Sequence, residues 1–260
     1  MDLGLQGKMA VITGGSKGIG FGVAVSLANE GCDVQIVSRD KSMLETAQAN
    51  IKQQTGKDAK IHAMDLSVSG SADQLLAAAG TPDILVNNAG AIPGGNIAAI
   101  DEATWRAAWD LKVFGYINLC RAAYALMKAR GHGTIINVTG LAADKHDFSY
   151  IAGTAGNASL NAFTRALGGY SLNDGIRVAA VSPGPVETDR LVTLMKTRSK
   201  AEHGTEDKWR EYLAAQPLGR AASVPEVADT VTYMASERAS YISGTVLNVD
   251  GGLLSRGGVF

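Results

Sequence analysis

Short apolar runs alternate along this chain with longer stretches in which apolar residues recur every three to four positions. The runs MAVIT (9–13), DVQIVS (33–38), KIHAM (60–64), DILVN (83–87), TIINV (134–138), RVAAV (177–181) and TVLNV (245–249) have the length and continuity of strands covered on both faces. A helical period fills the intervals over Ile19–Glu30, Ser42–Gln54, Ser71–Ala79, Glu102–Arg130, Tyr150–Asn173 and 225–236. Gly-His-Gly at 131–133 closes the fourth of these helices, and Pro-Gly-Pro at 183–185 stops the sixth strand. Such alternation makes βαβ units, whose right-handed crossovers wind helices onto both faces of a parallel sheet. The predicted fold class is α/β, a doubly wound parallel sheet in a single domain over residues 1–260. Segment 188–215 is polar and charged but helical in period, and it breaks the alternation after a strand's carboxyl end. That position predicts a lid over a substrate, with Leu191, Leu194, Met195, Trp209 and Tyr212 as its apolar residues.

Composition narrows the function classes. Hydrophobic residues are 46% and charged residues 19%, a globular balance that excludes disorder. A formal net charge of −1 offers no electrostatic case for nucleic acid or an anionic membrane. No run of about 18 apolar residues is present and the first residues lack a secretory pattern, so a soluble cytoplasmic protein is expected. Cys32 and Cys120 form no C-x-x-C pair, and His62, His132 and His203 have no partner spacing, so neither a disulfide framework nor a metal is inferred.

The first strand ends in TGGSKGIG (13–20), where glycines allow a sharp turn and a close backbone approach to a pyrophosphate. The helix that follows points free N–H groups and its positive dipole end at that anion. Gly14, Ser16, Lys17, Gly18, Ile19 and Gly20 make up this end of the site. Together with NNAG at 87–90, the Tyr150 region and PGPVET at 183–188, it resembles the short-chain dehydrogenase/reductase family, from Gly7 to the VDGG at 249–252.

The resemblance implies a Rossmann-type domain that binds a nicotinamide dinucleotide, as a homotetramer or homodimer acting on a small carbonyl or alcohol. By position it implies Asp65 and Leu66 at the adenine, Asn87, Ala89 and Gly90 on the adenosine side, and Pro183, Gly184, Val186 and Thr188 at the nicotinamide. An NAD-type site places a carboxylate at the end of the second strand. Here Ser38 stands there, followed by Arg39, and Lys17 adds a second cation, so NADP(H) is favoured over NAD(H). Asp40 weakens that preference if it, and not Ser38, faces the ribose.

At the chemical end the family resemblance implies a tyrosine acid/base, a lysine four residues on, a serine that polarises the carbonyl and an asparagine on the preceding helix. Tyr150 fits the tyrosine, but Thr154 stands four residues on, Gly140 aligns with the serine, and Lys112 stands where the asparagine belongs. The loop before Tyr150 also reads as shortened. The expectation is that Lys112 reaches across and places its ammonium near Tyr150, with Thr139 (or Ser149) as carbonyl donor and Thr154 as a relay. Lys145 and His146 lie in the loop just before and are further candidates. The activity expected is reversible reduction of a ketone or aldehyde to an alcohol. The competing reading is a dinucleotide-binding sensor or scaffold that has lost catalysis.

Overall fold

The computed structural model describes residues 1–90 and 92–256. The strands β1 (Met9–Thr13), β2 (Asp33–Ser38), β3 (Lys60–Ala63), β4 (Ile84–Asn87), β5 (Gly133–Val138), β6 (Ile176–Pro183) and β7 (Val246–Val249) form one sheet in the order β3-β2-β1-β4-β5-β6-β7. Every pairing is parallel. Strand order reverses between β1 and β4, so the crevice that binds ligands in such sheets opens beyond their carboxyl ends.

The helices are α1 (Gly18–Asn29), α2 (Lys41–Thr55), α3 (Ser71–Ala79), α4 (Glu102–Trp109), α5 (Gly115–Arg130), α6 (Ile151–Gly168), α7 (Asp189–His203) and α8 (Val224–Ala235). Successive strand residues point to opposite faces, which explains why the strands read as unbroken apolar runs. Ile12 and Val86 pack with α1, α2 and α8 in one core, while Val11 and Leu85 pack with α3 and α5 in the other. Arg177 on β6 is buried and donates to the carbonyls of Met234 and Ser236 at the end of α8, where the helix dipole favours a cation.

Three boundaries differ from the sequence expectation. The run 102–130 is broken by a π-helical turn, Asp110–Phe114, between α4 and α5. The helix expected to reach Asn173 ends at Gly168 and gives way to a short turn at Ser171–Asp174. Segment 188–215 holds α7 and a tight helical turn at Asp207–Leu213, and the two fold onto each other. Trp209 and Leu213 are buried against Leu191, Val192 and Met195, so part of this segment's apolar content forms its own small core.

Candidate active site

The glycine turn after β1 is shaped by contact as well as by conformation. Gly14 has φ +65°, and a Cβ there would stand 2.9 Å from Asn88 Nδ2; a Cβ on Gly20 would overlap the Gly14 carbonyl. No side chain caps the first turn of α1, so its N–H groups point outward without a side-chain acceptor. A cleft of ≈ 300 Å³ opens in front of them, lined by Gly14, Ser16, Lys17, Gly18, Ile19, Ser38, Arg39, Leu66, Ala89, Gly90 and Thr188. Bare helix N–H groups beside two cationic side chains fit the phosphates of a dinucleotide. Ser16 Oγ donates to Ser38 Oγ at 3.1 Å, tying the glycine turn to the end of β2. Asp40 is turned away: its carboxylate accepts from the Met43 N–H and the Ser42 hydroxyl and caps α2.

Three residues expected at the cofactor line neither this cleft nor the cavity that adjoins it. Asn87 is fully buried; its Nδ2 donates to Asn137 Oδ1 at 3.0 Å, and Asn137 Nδ2 donates to Thr164 Oγ1 at 2.9 Å. It therefore ties β4 to β5 and α6, and its neighbour Asn88 takes the wall position. Asn88 Nδ2 donates to the carbonyls of Thr13 and Gly14, so the residue also fixes the glycine turn. Asp65 accepts from Ser67 and stands 3.7 Å from Arg39, whose guanidinium it orients. Gly20 acts from behind, through its contact with Gly14.

A second cavity, ≈ 650 Å³, joins the first along Ile19, Asn88, Gly90, Thr188 and Arg190. Its inner wall carries Lys112, Thr139, Gly140, Tyr150 and Asn157, with Pro183, Gly184 and Val186 opposite. Lys112 lies in the π-helical turn, a distortion that often marks functional sites. Its stem passes over Gly90, where a Cβ would meet Lys112 Cδ at 2.5 Å. The ammonium donates to the carbonyls of Val138 and Thr139, both at 3.4 Å, and sits 5.5 Å from the centre of the Tyr116 ring. Burial, with a smaller contribution from the nearby Arg190 charge, lowers the lysine pKa from 10.5 to about 8.

Tyr150 caps α6 from outside the helix, and Gly95 holds its backbone in a parallel bridge. Its ring folds back over the helix so that any Cβ on Gly153 would fall within it. It packs against a cluster of Ile92, Ile100, Ala108 and Ala152, on which Trp105 and Trp109 also lie. Burial raises the phenol pKa above its ordinary value, and the charge of the Arg190 guanidinium opposes that shift. Arg190, in the first turn of α7, lines the same cavity, and its Nη2 donates to the Ile92 carbonyl at 2.7 Å. The sequence signal for it was a charged residue in the first turn after the Thr188 cap, where side chains turn back toward the end of the preceding strand.

Gly153 and Asn157 stand four residues apart on the cavity side of α6, the spacing that the resemblance gives for the tyrosine and lysine. Asn157 is buried, lines the cavity and lies against Gly140; its Nδ2 donates to the Gly153 carbonyl, and its Oδ1 has no partner among the described residues. Thr154 turns elsewhere: its hydroxyl accepts from the Asp147 N–H at 3.3 Å, and it is not part of the cavity wall. Tyr150 lays its ring where Gly153 leaves room. Thr139 lines the cavity, but its hydroxyl is closed off from solvent and unpartnered among the described residues. Ser149 is engaged through its backbone with Gly95 and Asp147 and lies off the wall.

Leu141, Lys145, His146, Phe148, Leu191 and Leu194 form the mouth. Of the apolar residues expected in a lid, Leu191 and Leu194 reach the cavity, while Trp209 and Met195 pack beneath them. Tyr212 is on the outer side, donating to Glu202 at 2.6 Å under Arg198.

A family model described as enoyl-(acyl carrier protein) reductase matches residues 14–254. Over 256 residues the chain is 32% identical to the 3-oxoacyl-acyl-carrier-protein reductase FabG of Chlamydia muridarum, across 96% of this chain and 98% of that one. It is also 32% identical over 253 residues to the 2,3-dihydro-2,3-dihydroxybenzoate dehydrogenase of Bacillus subtilis, across 96% and 97% of the two chains. Among solved structures, the L-sorbose reductase of Gluconobacter frateurii, complexed with NADPH and L-sorbose, superposes with a TM-score of 0.91 at 32% identity, over 98% of this chain and 100% of that one. These matches, over nearly the whole chain, establish that it belongs to the short-chain dehydrogenase/reductase family of oxidoreductases.

Proposed function

We propose that this NAD(P)-dependent oxidoreductase, which interconverts a carbonyl and an alcohol, takes NADP(H) and uses Tyr150 as its acid/base. The observation that carries the reading is the Tyr150 phenol, set on the wall of a cavity continuous with the dinucleotide cleft. The nicotinamide supplies or accepts the hydride. A phenol held above its ordinary pKa keeps its proton at neutral pH, so Tyr150 donates it to the carbonyl oxygen as the carbon is reduced. Lys112, with a pKa near 8, is the cation at the back of the cavity and can return a proton to the site near neutrality. Thr139 is kept as a donor to the carbonyl oxygen once a shift opens its hydroxyl.

The preference for NADP(H) is supported by Ser38, Arg39 and Lys17 in the cleft wall, and by the turning away of Asp40. L-sorbose reductase, a relative of the same fold, was solved with NADPH. Segment 188–215 serves as the lid through Leu191 and Leu194. No helix among the described residues is long and apolar enough to cross a membrane, and we place the protein in the cytoplasm. We read it as a homotetramer or homodimer, a reading supported by exposed Phe114 and Leu126 along the π-helical turn and α5, and by exposed Tyr170 just after α6.

The test is NADPH oxidation with ketones, diketones and acyl thioesters. Wild type should turn over at least one class, and Tyr150→Phe should lose roughly 10²-fold or more in kcat with NADPH affinity retained. Saturable quenching of NADPH fluorescence with no turnover of any compound would favour the non-catalytic, nucleotide-sensing reading.

A further inference from the structure

The charge on the inner cavity does not match the charge of the molecule. The chain carries a formal net charge of −1, yet Lys112, Lys145 and Arg190 line the cavity and Asp147 is the one carboxylate among its lining residues. None of the three cations has a carboxylate within 4.0 Å among the described residues. Asp147 is already engaged, accepting from the Ser149 N–H at 2.8 Å.

The two deeper cations are poorly satisfied. Lys112 holds only the carbonyls of Val138 and Thr139, both at 3.4 Å, long for charge-assisted bonds. Arg190 gives one nitrogen to the Ile92 carbonyl at 2.7 Å, which fixes the guanidinium and leaves its other N–H groups for a planar partner. Like charges converging without a counter-ion make a site that an anion completes.

We infer that the carbonyl substrate carries a carboxylate one or two carbons from the reacting carbon, and that Arg190, backed by Lys112, receives it. The short spacing follows from the geometry: Arg190 is held by the Ile92 carbonyl, Ile92 belongs to the apolar cluster against which Tyr150 packs, and Arg190 and Tyr150 both line the cavity, so this inference rests on the reading of Tyr150 given above. A carboxylate suits the donors better than a phosphate. One singly charged, planar group matches the remaining guanidinium edge, whereas a phosphate dianion brings three oxygens to donors already partly committed. Lys145 at the mouth extends the same positive field outward and would guide an acid inward.

The experiment compares matched pairs with NADPH: pyruvate against methyl pyruvate, and acetoacetate against methyl acetoacetate. Dihydroxyacetone phosphate and the acetoacetyl thioester of N-acetylcysteamine are the other arms. The acids should exceed their esters in kcat/KM by at least about tenfold, the value of one charge-assisted bond. Arg190→Gln and Lys112→Met should each narrow that ratio, Arg190→Gln most. Binding is read separately, from tryptophan fluorescence of the cofactor-free protein titrated with oxamate and with ethyl oxamate; Trp109 packs on the same apolar cluster as Tyr150 and donates to the Ala152 carbonyl two residues on, so it reports the site. Oxamate should bind more tightly than the ester, and Arg190→Gln should remove the difference. A preference for esters, thioester or phosphate would overturn the proposal. So would an Arg190→Gln variant that loses NADPH affinity with an unchanged acid-to-ester ratio, because Arg190 would then serve the dinucleotide. Selective oxamate binding without turnover of any compound would remove the catalytic role of Tyr150 and leave the carboxylate site standing.

Discussion

At the scale of single residues, the site depends on a missing side chain as much as on those present. The Tyr150 ring occupies the volume that a Cβ on Gly153 would need. Gly153→Ala should therefore push the phenol off the cavity wall, and a displacement of about 1 Å costs on the order of 10²-fold in rate. The loss should fall on kcat, with NADPH affinity close to wild type, because the glycine cradle lies on the far side of the sheet crevice. Single-turnover kinetics beside NADPH fluorescence titration would separate the two, and an alanine variant with full kcat would show that the ring position is immaterial. Lys112 carries a stability signature of its own. Its folded pKa of about 8 lies below its ordinary value of 10.5, so between these two pH values the unfolded chain binds more protons. Stability contributed by this group therefore rises with pH across that window. Below about pH 8 the lysine is charged in both states and its burial opposes folding by up to about 3 kcal/mol. Lys112→Met should be the more stable protein in urea denaturation at pH 7, and the gap to wild type should close by about pH 10.5, while its turnover is reduced but measurable. A gap that stays constant with pH would mean that the ammonium is not desolvated.

At the scale of elements, what could be read from the chain and what could not divides along physical lines. The strands were legible because burial on both faces forces unbroken apolar runs, and β6 is buried at every residue from Ile176 to Pro183. The π-helical turn was not, because one extra residue inside a helix leaves the period intact on either side of it. Its trace is the lysine itself, a charge on an otherwise buried flank. Counting four residues from Tyr150 led to Thr154, since nothing in the sequence tells that the tyrosine stands outside α6 and folds back over Gly153. Asn87 and Asn88 differ by the alternation of a strand: the first points into the core between β4 and α5, and the second emerges at the crevice. The same logic of strand and helix ends gives a prediction at this scale. Arg177 joins β6 to the last carbonyls of α8. Arg177→Met keeps the length of the side chain and removes those bonds, and should destabilise the fold by about 2 kcal/mol. A lowered urea midpoint with an unchanged slope would show it, and an unchanged midpoint would mean that α8 closes without this cation.

At the scale of the whole molecule, the two cavities make the dinucleotide a further tie between halves that already meet through the sheet and through the packing of α1 on α8. The cleft at α1 and β2 belongs to the first half of the chain, and Thr188, the cap of α7, and Arg190, within α7, border both cavities from the second. A ligand bound across both is absent from the unfolded state, so it stabilises the protein by mass action, about 2.7 kcal/mol at a concentration one hundred times its Kd. The size of that effect becomes a measure of cofactor choice that needs no substrate. Arg39 presents a guanidinium at the end of β2, oriented by Asp65 at 3.7 Å, where a 2′-phosphate would lie. NADPH should therefore raise Tm more than NADH at equal concentration, by an amount that corresponds to at least about tenfold in affinity. Arg39→Asp replaces that fork with a carboxylate suited to ribose hydroxyls and repelled by phosphate. The order of the two cofactors should then invert in the melting curves, while the apo Tm changes little because Arg39 is exposed. If NADH protects wild type as well as NADPH does, Arg39 is a solvated surface charge and the preference must be set elsewhere in the cleft.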